Sequence, residues 1–338
     1  MTGGRRARRV RAALMAALLS ATLLLAAGCT GDGESAAFQR AFADDPSVES
    51  MKLTSHDNQP FTGGVSGEVV AREALADEDF AALVGRIGDY TRENGDRMQG
   101  RVSLVVDGFE MEVTGDEGHD DEAVGLLLAL RADARVISAT VGDSSLVLVG
   151  SGTAEAVELA RDLPALRDEV APGLPDTATV RAEDGDVDLR GSTAARGDAL
   201  RLWDALTAEV PLAGLRARNE PVVVVALRDE SDLSAARRVA AGVALGPGTS
   251  VRFASDVVRL GDSDGEDARL LLSSLDEELR DRIAYVWISG ARVQVAVRIE
   301  ADLAGMADAV DAALPARITD ASMVLESDPA TSLSVRDG

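Results

Sequence analysis

The stretch from Arg101 to Ala132, RVSLVVDGFEMEVTGDEGHDDEAVGLLLALRA, constrains the fold more than any other part of the chain. Phe109, Met111 and Val113 alternate with Glu110, Glu112 and Thr114, so a strand here has one apolar face and one wet face. Asp107-Gly108 sits just before it, where a two-residue hairpin turn needs positive φ. After an acidic run, Val124, Leu127 and Leu128 fall on one side of a helix. The stretch predicts strand, tight turn, strand, helix. A unit of that size cannot bury its own apolar face, so it needs copies beside it.

Copies are present. Comparable turns recur at positions 58, 108, 142, 185, 219, 255 and 290, in steps of 34 to 50 residues, which marks an internal repeat. In chain order, the pattern predicts a helix at 36–42 and strands at 47–55 and 61–73 around a turn at 57–60. A helix at 77–93 follows, with Asp77, Glu78 and Asp79 in its first turn and Phe80, Leu83, Val84 and Ile87 inward. Beyond residue 132 come a hairpin at 134–141 and 145–149, a helix at 154–169 broken by Pro164, and a hairpin at 177–182 and 186–189. A helix at 194–209 turns Leu200, Trp203 and Leu206 inward, and a hairpin at 212–217 and 221–227 leads to a helix at 232–243. Strands at 251–253 and 257–260 are expected to pair around Ser255-Asp256. One helix at 264–281 follows, with Ala268, Leu271, Leu272, Leu275 and Leu279 as its stripe. A hairpin at 283–288 and 291–300 turns Val293, Val295, Val297 and Ile299 inward and Arg292, Gln294, Arg298 and Glu300 outward. A helix at 302–314 carries Leu303, Met306 and Val310, and a strand at 322–326 precedes a frayed tail. The expected class is α+β: two-layer sandwiches built from tandem αββ repeats with antiparallel hairpins, in two domains, 34–192 and 193–338.

The N-terminal residues point to export. Arg5, Arg6, Arg8, Arg9 and Arg11 precede an apolar run at 12–27 that ends Leu25-Ala26-Ala27-Gly28-Cys29. A charged start, a short apolar core and small residues before a cut mark a signal peptide at 1–28, too short for a mature membrane span. Cys29 is the single cysteine of the chain, and an exported protein gains little from a lone thiol. The segment resembles the lipobox of bacterial lipoproteins, which implies cleavage before Cys29 and diacylglycerol, with its palmitate-type chains, on the thiol. Ala26 stands where the commonest lipobox has Leu. The plain alternative is a secreted protein cut near Ala27. Residues 29–33 would form a short tether, leaving the folded body outside the membrane and anchored to its outer leaflet.

Charge excludes one class of partner. Removing 1–28 leaves 29 basic residues against 58 acidic ones, a surface that repels nucleic acid. Aromatic residues make up 3% of the chain, too few for stacking platforms. Lys52 is the only lysine while Arg, Ala, Asp, Val and Gly abound, as a GC-rich genome would produce.

Few constellations carry chemistry. His119 and Asp120, with Asp121 and Glu122, could be read as metal ligands, but acidic residues at a helix start serve its unpaired N–H groups equally well, and no His or Cys partner stands at ligand spacing. Asp262 and Asp264 begin a run faintly like a calcium loop, yet Asp267 replaces its glycine and Ser273 its closing glutamate. Helix capping is the preferred reading of both runs. No G-x-S-x-G elbow or phosphate-cradling glycine loop occurs, so neither a catalytic residue nor a cofactor is assigned.

Three units share a phrase: a turn, alternating apolar residues, then a glycine. It runs from Asp107 to Gly115, from Gly142 to Gly150 and from Glu183 to Gly191. Elsewhere the closing glycine is lost, with Arg228-Asp229 and Glu300-Ala301 in its place. The phrase resembles that of the BON family of exported bacterial proteins. The resemblance implies a non-catalytic module that binds membranes, envelope polymers or other proteins. The sequence thus predicts a lipid-anchored envelope protein whose partners are the membrane, through Cys29, and an unidentified envelope protein or polymer. The alternative is an envelope hydrolase using a pair of acidic residues.

Overall fold

The computed structural model describes residues 32–56, 64–94, 101–218 and 222–337. The signal segment 1–28, Cys29, the first part of the tether, and the turns at 57–60 and 219–220 lie outside the described residues. Those described form nine helices and sixteen strands in two mixed sheets, an α+β fold. They divide into two compact units, one reaching to Asp133 and adding 138–143 and 167–174, the other holding 134–137, 144–166 and 175–338. Residue 192, the expected domain boundary, lies inside the second unit.

In the first unit, α1 (Asp32–Phe42) precedes β1 (Val48–His56) and β2 (Gly64–Ala71), which pair antiparallel. The chain then crosses through α2 (Asp77–Glu93) to β3 (Val102–Val106), which pairs parallel to β2 with Gly67 opposite Val102. β3 and β4 (Phe109–Val113) form the expected hairpin. Asp107 has φ +48° and Gly108 φ +86°, the pair of left-handed conformations that matches the twist of a two-residue hairpin. α3 (Glu117–Ala132) is the next crossover, and β5 (Val136–Val141) pairs parallel to β4. Antiparallel hairpins are therefore joined edge to edge by parallel pairs, which need long crossovers that the helices supply.

Alternation decides which face is buried. Val102, Leu104, Val106, Phe109, Met111 and Val113 are all at least nine-tenths buried, and α2 and α3 pack on β4. α2 keeps its expected bounds and stripe. On α3 the buried stripe is Ala123, Val124, Leu126, Leu127 and Leu130, so it is rotated from the expected one and Leu128 is only half-buried. A 3.6-residue period drawn through Ala123 selects the better-centred set, and a small residue at its start hid that choice. α1 is held by aromatic contact, with the Phe38 ring centroid 4.7 Å from Phe42 and 5.1 Å from Tyr90.

The second unit repeats the scheme. β6 (Leu146–Gly150) pairs parallel with β7 (Ala178–Ala182) across α4 (Thr153–Val170), and β7 pairs antiparallel with β8 (Val187–Gly191). α5 (Thr193–Thr207) leads to β9 (Leu212–Ala217), parallel to β8 and antiparallel to β10 (Val222–Leu227). A 3₁₀ turn at Glu230–Asp232 and α6 (Leu233–Ala241) lead to β11 (Ser250–Ala254), parallel to β10. β12 (Val258–Leu260), α7 (Glu266–Ser274), α8 (Glu277–Arg282), β13 (Ile283–Ser289), β14 (Arg292–Val297), α9 (Ala301–Ala313), β15 (Asp320–Leu325) and β16 (Asp328–Arg336) complete the chain. These last five strands form the second sheet in sequential order, over a core that includes Leu271, Val286, Val295 and Met306.

The structure departs from the expected elements at several points. Pro164 does not break α4, which runs through to Val170 while burying Ala156, Val157, Leu159, Ala160 and Leu163. A mid-helix proline costs about 3 kcal/mol, and burial of five side chains on one face offsets it. On α5 Leu200 and Leu206 are buried as expected, but Trp203 is only half-buried, and Leu202 beside it is fully buried. Strands 251–253 and 257–260 are not a hairpin: β11 pairs with β10 and β12 with β13, in different sheets. Between them the Ser255 hydroxyl accepts from Val258 N–H at 3.1 Å, turning the chain without a ladder. The helix expected at 264–281 is two helices, because Leu275 is extended (ψ 146°) and the Asp276 carboxylate caps α8 through Leu279 N–H. β14 ends at Val297, leaving Ile299 62% exposed instead of inward.

The tail is not frayed either. β16 pairs antiparallel with β15, and Leu333 and Val335 pack on the core of the second sheet. Arg336 fastens it, with Nη1 donating to the carbonyls of Pro315 (3.1 Å) and Ile318 (2.9 Å) and Nε to Asp311. Among the described residues no helix is long and apolar enough to cross a membrane. Arg336→Ala is expected to lower stability by roughly 1–3 kcal/mol, because it strips a charged donor from several carbonyls at once. Urea unfolding of the variant against wild type checks this, with Gly108→Ala, expected to cost about 1 kcal/mol through its positive φ, as a reference.

Candidate functional site

The acidic runs are built into helix starts. Asp116 caps α3, its carboxylate accepting from Gly118 N–H and His119 N–H at 3.1 Å each. Asp120, buried at 6% exposure, accepts through Oδ1 from Thr114 N–H (2.9 Å) and Thr114 Oγ1 (2.8 Å), and through Oδ2 from Gly115 N–H (2.9 Å). Its oxygens point to the loop that closes β4. His119 is half-buried beside it and comes with no ligand set. Asp264 accepts from Glu266 N–H at 3.0 Å, just ahead of Gly265, which begins α7 at φ +85°. Asp262 is exposed, and its backbone N–H donates to Ser289 Oγ at 3.3 Å. Among the described residues no group of three His, Cys, Asp or Glu is placed to hold a metal ion.

Asp120 belongs to a recurring device. It is the fourth residue of α3, Ala156 the fourth of α4 and Arg196 the fourth of α5. Each meets the glycine that closes the preceding strand. Asp120 takes the Gly115 N–H, and Arg196, 2% exposed, donates to the Gly191 carbonyl. A side chain on Gly150 would come within 2.9 Å of the Ala156 nitrogen, so that strand and helix close on each other only through glycine. The closing glycine of the repeated phrase is thus a packing position.

Other acids do similar work out of sight of any motif. Asp198 on α5 accepts from Gly246 N–H (3.1 Å) and Thr249 Oγ1 (2.7 Å), and Glu122 from Gly173 N–H (2.6 Å), each pinning a distant loop. Nothing in the spacing of the sequence marks these pairs, because the partners are about fifty residues apart. A cleft of about 210 Å³ between α2 and α3 is lined by Asp89, Arg92, Glu117, Asp120 and Asp121. Asp89 there is paired with Arg92, and Asp120 is spent on its loop.

Away from the main cores, the sheets carry ion pairs and, on the second sheet, a small buried cluster. Arg181 and Asp188 face each other across β7 and β8, and Arg190 Nη2 lies 2.7 Å from Asp188 Oδ2. Burial alone would push the Asp188 carboxyl up. The hydrogen bonds and charge of Arg190, reinforced by Arg181, outweigh it together and hold the group below the ordinary carboxylate range. On the second sheet, Gln294 lies opposite Trp287 and Ser322, and Arg292 pairs with Asp320 at 3.0 Å. Arg298 and Glu300, expected on that face, fall beyond β14, and Arg298 donates instead to the Asp281 carbonyl. Next to Gln294 on this face, Ala296 with its partners Tyr285 and Val324 forms a small buried cluster, with the Arg259 guanidinium 3.5 Å over the Tyr285 ring.

Asp120→Ala strands the Thr114 and Gly115 donors and is expected to cost about 1–3 kcal/mol in urea unfolding, with no metal-dependent component. Asp188 predicts a pH effect of known sign. Its folded pKa is depressed, so its contribution is complete above the unfolded value near 3.8 and is lost as pH falls through the folded value. Unfolding midpoints taken from pH ~6 down to ~2 should therefore fall less steeply in Asp188→Asn than in wild type. In comparison with known proteins, no family model, no curated protein and no solved structure matches this chain.

Proposed function

We propose that the chain is a lipid-anchored cell-envelope lipoprotein whose folded body is a non-catalytic binding or scaffold module. The observation that carries this reading is the N-terminal pattern: five arginines, an Ala/Leu run and Leu25-Ala26-Ala27-Gly28-Cys29, with Cys29 the single cysteine. Diacylglycerol on that thiol places the body at the outer leaflet, and α1 starts at Asp32, only three residues further on. The envelope partner, protein or polymer, meets the body through the sheet faces that no helix covers. The three phrases that end in Gly115, Gly150 and Gly191 support a BON-like repeat, since each glycine meets the fourth residue of the following helix.

Two features favour binding over hydrolysis. A general acid among paired carboxylates needs a raised pKa. The carboxyls of Asp45, Asp188 and Asp229 are shifted the other way, below their ordinary values. Asp120, Asp198 and Glu122 are also spent as acceptors for loop N–H groups. Expression in a Gram-positive host tests the anchor. Wild type is expected in the membrane fraction with a mass increased by diacylglycerol, and Cys29→Ala is expected unmodified and released. Wild type recovered unmodified from the medium would overturn the reading.

A further inference from the structure

The second unit holds a cavity of about 370 Å³ at the junction of the 3₁₀ turn, α7, α8 and the start of β13. Its volume is within the range of small-ligand pockets, about 300–1,000 Å³, and its lining follows the usual recipe of an apolar body with a few convergent polar groups. Val257, Leu272 and Ile283 provide the apolar part, continuous with the core of the second sheet.

The polar part has a fixed ion pair and one further cation. Arg269 is 12% exposed and fully engaged: Nε donates to Glu230 at 2.6 Å, Nη2 to the Phe253 carbonyl at 2.7 Å and Nη1 to the Asp264 carbonyl at 3.2 Å. The other Glu230 oxygen accepts from the Ser255 hydroxyl at 2.5 Å, so this wall is neutral in sum and held rigid. Arg280 also lines the cavity. Its guanidinium makes one long contact, to the Leu275 carbonyl at 3.4 Å, and no described carboxylate lies within ion-pair distance of it. Arg280 is exposed, so its charge is open to a ligand at the mouth of the cavity. Ser273 lies on the rim and donates to the Leu270 carbonyl at 2.9 Å, which leaves its oxygen free to accept.

We infer that this cavity binds a small amphipathic carboxylate, its apolar body on Val257, Leu272 and Ile283 and its carboxylate on Arg280. A dianion would meet the strong negative field of the whole chain, and a cation would meet Arg280, so a single carboxylate on an apolar chain is the best match. The site does not depend on the lipid anchor or on an envelope partner.

The probe is octanoate, kept below its micelle concentration and titrated into the full chain with labelled Leu, Val and Ile methyl groups. Saturable shifts of the Leu272 and Ile283 methyl signals are expected. Arg280→Gln should weaken octanoate roughly tenfold through loss of a charge-assisted bond. The same variant should leave the weaker binding of 1-octanol unchanged, which also shows that it is folded. Leu272→Gln should weaken both probes. No saturable shift at these methyl groups, or equal octanoate affinity in wild type and Arg280→Gln, would overturn the proposal.

Discussion

The fold depends on how a two-strand hairpin disposes of its outer edges. Each hairpin satisfies half of its backbone groups and leaves a row of N–H and C=O groups on both sides. Here those edges are met by the neighbouring hairpins in parallel, β2 on β3, β4 on β5, β6 on β7, β8 on β9 and β14 on β15. Parallel pairing cannot be made by a tight turn, so each junction requires a crossover, and the helices are long enough to provide it. The helices then cover the apolar face that the alternation creates. Repeat, helix and sheet are consequences of one requirement.

The negative charge of the chain fits this scheme. A junction between a strand end and a helix start exposes N–H groups from both, and a carboxylate is the strongest acceptor that can be placed there. Asp116 serves the first turn of α3 while Asp120 reaches back to Thr114 and Gly115. Arg196 solves the same geometric problem with the opposite sign by taking the Gly191 carbonyl, and Ala156 solves it by close packing on Gly150. Three chemistries at one repeat position argue that the position is structural. Acidic runs that look like metal sites in the sequence are, in this light, joints.

Much of this was legible in the sequence where the signal is local. The bounds of α2, the Asp107-Gly108 turn and the inward strands of the 101–113 hairpin follow from charge placement and alternation alone. Long-range choices were not legible. The segments around Ser255-Asp256 look like any other hairpin, and only the edges offered by β10 and β13 send them to different sheets. The stripe from Ala268 to Leu279 fits one helix, while Asp276 prefers to start a new one. In β16 two apolar residues, Leu333 and Val335, are masked by serines and an arginine whose partners lie on α9 and the loop after it. The cavity beside Arg280 draws its lining from four separate elements, so no spacing announces it.

The account rests on both edges of each inner strand being paired, and amide hydrogen exchange reads that directly. In an isolated hairpin, alternate amides of β3 would face solvent. With β2 on one side and β4 on the other, consecutive amides from Ser103 to Val105 should all exchange slowly, as should those from Thr179 to Arg181 on β7. Fast exchange at alternate positions of these strands would show that the hairpins stand alone and would contradict the account.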